Sequence, residues 1–61
     1  MDRNEIQKKL SRKFNRHDVV TTMSAIPADT KNITPEKLRD LLEKGRFYPH
    51  EITHIHMAVF F

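Results

Sequence analysis

Residues 2–14 form the first segment with a regular spacing of apolar side chains. Ile6, Leu10 and Phe14 recur at every fourth position, so a helix would place them on one stripe. Asp2 lies where an N-cap residue is needed, because its carboxylate can bond the free backbone N–H groups of a first turn. The pattern predicts a helix over about residues 2–14.

The next segment, residues 16–25, fits two structures. Asn15 can cap a helix with Asp18 three residues on, and this helix would turn three side chains inward: Val19, Val20 and Met23. Residues 18–24 are also rich in β-branched side chains, which favour a strand. We predict the helix and keep the strand as the alternative.

The best-specified element is a helix over residues 35–44. Thr34 suits the N-cap, and Pro35 takes the first helical position, where its missing N–H costs nothing. Gly45 is the only glycine and occupies the place of a left-handed C-terminal residue. The predicted buried stripe of this helix contains Leu38, Leu41 and Leu42.

The last segment is again ambiguous, and it decides the fold class. A helix over residues 50–60 beginning near Pro49 competes with a strand over residues 53–61. We favour the helix because an isolated strand has no pairing partner. The predicted fold is therefore mainly α, a single domain over residues 1–61 with three to four helices and an internal loop at 24–33. The alternative is an α+β fold that uses both possible strands.

Length and composition narrow the class of protein. A chain of 61 residues forms one small domain, and the absence of cysteine removes disulfides and thiolate metal sites. No apolar run approaches the roughly 20 residues of a membrane span, so we expect a cytoplasmic protein. The basic, amphipathic first helix could also lie on a membrane surface, but its apolar stripe is too thin to anchor it alone, so we expect no membrane partner. The net charge of +3 is only mildly basic.

The chain shows no pattern typical of catalysis. Ser11 and Ser24 lie outside any nucleophile motif, and a single glycine cannot build a phosphate-binding loop. His50, His54 and His56 have spacings that metal sites use, but no cysteine or suitably placed carboxylate accompanies them. We expect no enzymatic activity, no cofactor and no bound metal.

The C-terminal third is crowded with large apolar side chains. Leaving one exposed to water forfeits roughly 1.5–3 kcal/mol, so such a cluster indicates a covering partner. We expect this face to bind another protein or, alternatively, a second copy in a small structural homodimer. The predicted contact residues are Leu38, Leu41, Leu42, Phe47, Ile52, Ile55, Val59, Phe60 and Phe61.

The first helix offers a second candidate surface, because basic side chains lie largely opposite its apolar stripe. They could contact the phosphates of a nucleic acid. The loop between the second and third predicted helices is too long for a helix-turn-helix, which uses a turn of three or four residues. The possible nucleic-acid contacts are Lys8, Lys9, Arg12, Lys13 and Arg16.

Residues 31–61 also resemble a known family. The stretch Leu38-Arg39-x-x-Leu42-x-x-Gly45-x-Phe47-x-Pro49 is similar to the core of the flagellar anti-sigma factors. The resemblance implies a protein that inhibits a sigma factor by wrapping helices around it. A shorter stretch, residues 32–39, resembles the helix start of small bacillar antirepressors.

Together these patterns predict a small regulatory binding protein. It would inhibit or sequester a protein partner, most readily a transcription regulator such as a sigma factor, through the Leu38–Phe61 face. The alternatives are a nucleic-acid-binding protein that uses the basic first helix, and a structural homodimer.

Overall fold

A computed structural model describes all 61 residues and contains four helices. Their bounds are α1 Arg3–Ser11, α2 Arg16–Ser24, α3 Pro35–Lys44 and α4 Pro49–Phe60. The predicted mainly α fold is confirmed, and the α+β alternative is wrong because residues 18–24 and 53–60 are helical. A helix satisfies its backbone hydrogen bonds within itself, whereas each strand would have needed a neighbour to pair with.

The first three helices begin where a side chain caps them. Asp2, Asn15 and Thr34 have extended backbones, and each accepts a hydrogen bond from the backbone N–H three residues further on. The distances are 2.8, 2.8 and 3.1 Å, in that order. The N-termini of these three helices are therefore specified by short polar side chains close by in the sequence.

The fourth helix uses a different start. The Tyr48 backbone N–H donates to Glu51 Oε1 at 2.9 Å, and Pro49 takes the first helical position. These two features hold residues 49–60 in a helix in spite of the alternating pattern that also suited a strand.

Helix α1 ends earlier than predicted, at Ser11 instead of residue 14. The chain turns over residues 12–15, where the backbone N–H groups of Lys13 and Phe14 both donate to the Leu10 carbonyl. Phe14 still packs half-buried against the core. Because Asn15 must be extended to cap α2, the first helix cannot continue through it.

The predicted role of Gly45 is wrong. Its φ is −77°, and the left-handed position is taken by Arg46 with φ 63°. A Cβ atom at Gly45 would lie 3.2 Å from Phe47 Cε1 and 3.3 Å from Ala25 Cβ. A larger side chain at this position would have to displace the Phe47 ring or Ala25 by a few tenths of an ångström, so the constraint here is space and not the backbone angles.

One core joins all four helices, with α1 packed on α2 and α4, and α3 packed on α4. Val19 and Met23 lie inside, as predicted, but Val20 is 60% exposed. Leu41 is half-buried at the margin of the core. The eleven buried apolar residues are Ile6, Leu10, Val19, Met23, Ile26, Ile33, Leu38, Leu42, Ile52, Ile55 and Val59.

The predicted loop between α2 and α3 contributes to this core. Ile26 and Ile33 are almost fully buried, and the Ile33 backbone N–H donates to the Met1 carbonyl at 2.8 Å. Arg3 binds the same region through its guanidinium, which donates to the carbonyls of Met23 at 3.0 Å and Ile26 at 3.2 Å. No helix is both long and apolar enough to cross a membrane.

Candidate nucleic-acid interface

The predicted protein-binding face is mostly inside the fold. Five of its nine residues are core residues, each at most 7% exposed: Leu38, Leu42, Ile52, Ile55 and Val59. Leu41, Phe47 and Phe60 are half-buried, and only Phe61 is largely exposed, at 89%. The expectation that these side chains form one exposed face is wrong, because α1, α2 and the loop before α3 supply enough apolar surface to cover the buried five.

Charge is unevenly distributed along the chain. Residues 1–16 contain six basic and two acidic side chains, whereas residues 17–61 contain five basic and six acidic side chains. The whole net positive charge therefore belongs to α1, the turn after it and the first residue of α2.

Three adjoining depressions run across α1 and onto α2, and we call the surface they form the α1/α2 face. The first lies on α1, and its lining includes Lys8 and Arg12. The second lies between α1 and α2 and includes Arg16 and Val20. The third continues along α2 as far as Ser24. The three have volumes of about 450, 390 and 330 Å³.

The α1/α2 face is continuous and contains no carboxylate. Gln7 lines all three depressions, and Ser11 lines the first two. The remaining lining residues are Arg3, Asn4, Phe14, Val19 and Met23. A surface lined by cationic and neutral side chains, with no carboxylate among the lining residues, is electrostatically suited to a polyanion.

Three of the five predicted nucleic-acid contacts belong to this face, namely Lys8, Arg12 and Arg16. Lys9 is half-buried, and neither it nor the exposed Lys13 lines the depressions. The reason is the helical period, since Lys8 and Arg12 are four residues apart and share a stripe of α1 that Lys9 does not.

Arg3 is one of the basic side chains recognised on the first helix, and it lines the α1/α2 face, but its structural role was not predicted from the sequence. Its hydrogen bonds to the Met23 and Ile26 carbonyls fasten the C-terminal end of α2 to the start of α1. A cation at that end also complements the helix dipole. The sequence offered no signal for these two hydrogen bonds, because Arg3 is 20 residues along the chain from one acceptor and 23 from the other.

The connections between helices reveal another feature that the sequence interpretation missed. The link from α2 to α3 is long, as predicted, but residues 12–15 join α1 to α2 in a four-residue turn. A turn of this length is typical of helix-turn-helix pairs. Predicting α1 to run as far as residue 14 concealed it.

The histidines do not lie on the α1/α2 face. His50 and His54 line a separate cleft of about 190 Å³ with Phe47, and this cleft also contains the carboxylates of Asp18 and Glu51. His56 points elsewhere, with its ring centroid 5.4 Å from that of Phe60. No three His, Cys, Asp or Glu side chains are grouped to hold a metal ion.

Comparison with known proteins yields no matching family model, no matching curated protein and no matching solved structure.

Proposed function

We propose that this protein is a small nucleic-acid-binding protein, not an enzyme, and that the α1/α2 face is its binding surface. The observation that carries the proposal is the acid-free cationic lining, in which Lys8 lies on α1, Arg12 caps the C-terminal end of α1, and Arg16 begins α2. None of these three side chains is used inside the fold, whereas Arg3 is committed to the α2 carbonyls.

The packing supports this function over the protein-binding function that the sequence favoured. The protein-binding prediction relied on apolar side chains that needed a cover, and five of them are covered by the chain itself. The basic side chains have no comparable structural role. Phosphate contacts would use their charge, since each one releases a counterion from the nucleic acid.

The proposal predicts how strongly the binding affinity should depend on salt concentration. The logarithm of the affinity falls with the logarithm of the salt concentration, with a slope of about −0.9 per neutralised phosphate. Three contacts, from Lys8, Arg12 and Arg16, predict a loss of roughly 40-fold between about 50 and 200 mM salt.

The test is fluorescence anisotropy with labelled DNA and RNA at several salt concentrations. The triple variant Lys8→Gln, Arg12→Gln and Arg16→Gln should lose most of its affinity and its salt slope. Its matched control neutralises three exposed basic residues outside the face: Lys31→Gln, Lys37→Gln and Arg39→Gln. Equal losses in both triple variants, or no binding by the wild type, would refute the proposal.

A regulator that binds a protein partner is the second candidate, and exposed apolar side chains near the end of α4 favour it. Met57 is 51% exposed, Phe61 is 89% exposed, and Phe60 beside them is half-buried. The surface that these residues offer to a protein partner is much smaller than the predicted Leu38–Phe61 face. The likeness to flagellar anti-sigma factors stays a prediction, and so does a homodimer.

Variants of the exposed apolar residues distinguish the two candidate functions. Met57→Ser with Phe61→Ser should abolish binding to a purified sigma factor, or self-association in sedimentation, without affecting nucleic-acid binding. A Leu42→Asp variant is unsuitable for this test, because Leu42 is fully buried and a charge there would unfold the domain.

A further inference from the structure

The outer side of α1 carries two parallel stripes of different chemistry. Asn4, Gln7 and Ser11 form a neutral polar stripe, because they are three and four residues apart. Lys8 and Arg12 form a cationic stripe beside it. Gln7 is central, since it shares one depression with Lys8 and Arg12 and another with Arg16.

The Gln7 side chain is available to a ligand. It is exposed, and within the chain only its backbone carbonyl takes part in a side-chain hydrogen bond, accepting from Ser11 Oγ at 2.8 Å. A primary amide can bond adenine at two points simultaneously, because its carbonyl oxygen accepts from the N6 amino group and its NH2 group donates to N7.

The same surface distinguishes between kinds of nucleic acid. Proteins that bind single strands stack bases on exposed aromatic rings, but the only aromatic residue of the α1/α2 face is the half-buried Phe14. The major groove of an RNA duplex is too deep and narrow for side chains to read. The major groove of B-form DNA is about 12 Å wide and admits a helix about 10–12 Å in diameter.

We propose that the α1/α2 face binds duplex DNA with α1 along the major groove, and that Gln7 determines sequence preference by pairing with adenine. Lys8 and Arg12 then contact phosphates on one side of the groove and Arg16 contacts them on the other. This inference rests on the proposed nucleic-acid function and adds the class of nucleic acid and the residue that reads it.

The experiment selects binding sites from short DNA duplexes with a randomised centre and then measures affinities by anisotropy. The wild type should select an A·T pair, and replacing that pair by G·C should weaken binding by roughly 5- to 150-fold, equivalent to 1–3 kcal/mol. The Gln7→Met variant keeps the length of the side chain and should bind both duplexes equally. The Lys8→Gln variant should weaken both by the same factor and keep the preference.

Each remaining outcome contradicts the inference in a distinguishable way. Equal binding of all duplexes by the wild type, or an unchanged preference in Gln7→Met, would overturn the role of Gln7 and leave the proposed function intact. Tighter binding of single strands or of an RNA duplex would overturn the assignment to DNA. No binding of any nucleic acid would overturn the proposed function as well.

Discussion

Arg3 should be one of the most important polar residues for stability. Its guanidinium donates two hydrogen bonds, to the Met23 carbonyl at 3.0 Å and the Ile26 carbonyl at 3.2 Å. Both bonds are partly buried, and both acceptors lie at or beyond the C-terminal end of α2. The substitution Arg3→Met removes the bonds and the charge while keeping a long side chain.

The magnitude follows from these contacts. Hydrogen bonds to charged groups contribute about 1.5–3 kcal/mol each, and partial exposure lowers this toward about 1 kcal/mol. Adding about 0.3–1 kcal/mol from the helix dipole, we expect Arg3→Met to lower the free energy of unfolding by about 2–3 kcal/mol. A domain of this size is stable by roughly 3–9 kcal/mol, so the loss is a large fraction of the total.

Urea unfolding followed by circular dichroism measures this loss. The midpoint should fall while the m-value stays the same, because the surface exposed on unfolding does not change. The Arg3→Lys variant keeps the charge but not the planar fork of donors, so it should recover only the dipole contribution. An unchanged midpoint in Arg3→Met would refute the structural role of these two bonds.

Three further predictions concern the fold, and the same unfolding assay checks them. Leu42→Ala should destabilise by about 2–5 kcal/mol, because Leu42 is fully buried, and a smaller effect would contradict its place in the core. Asn15→Ala should cost about 1 kcal/mol by removing the cap of α2, whereas no loss would mean that the 2.8 Å bond to the Asp18 N–H is not stabilising. Arg46→Gly should stabilise by about 0.5 kcal/mol, since relief of a left-handed backbone at φ 63° outweighs the greater freedom of glycine when unfolded. A loss of stability in this variant would refute that reasoning.

Much of the secondary structure was predictable because its signals are local. The helix over residues 35–44 is confirmed with its predicted bounds, and its Thr34 cap and Pro35 start require only neighbouring residues. The second helix was predicted within one residue for the same reason, through the Asn15 cap. The strand alternatives arose from β-branched residues at 18–24 and from an alternating pattern at 53–61. The Asn15 cap favours a helix in the first segment, and the bond between Tyr48 and Glu51 favours one in the second.

The candidate site was predictable only in part. Lys8, Arg12 and Arg16 were proposed from the sequence, but so were Lys9 and Lys13, which lie outside the α1/α2 face. The sequence indicated that the apolar residues of the C-terminal third must be shielded from water. Sequence spacing could not indicate that other parts of the same chain bury most of them, because burial depends on how distant helices pack.

Local sequence signals specify where three helices begin and which stripes of α1 and α3 face inward, since caps and helical periodicity act over a few residues. Three features depend on long-range packing: Val20 faces solvent, space beside Gly45 is limited by Phe47, and Arg3 holds the end of α2. The acid-free α1/α2 face likewise depends on the tertiary structure. It exists because packing brings two helices side by side, and no local pattern specifies which side chains become neighbours across that contact.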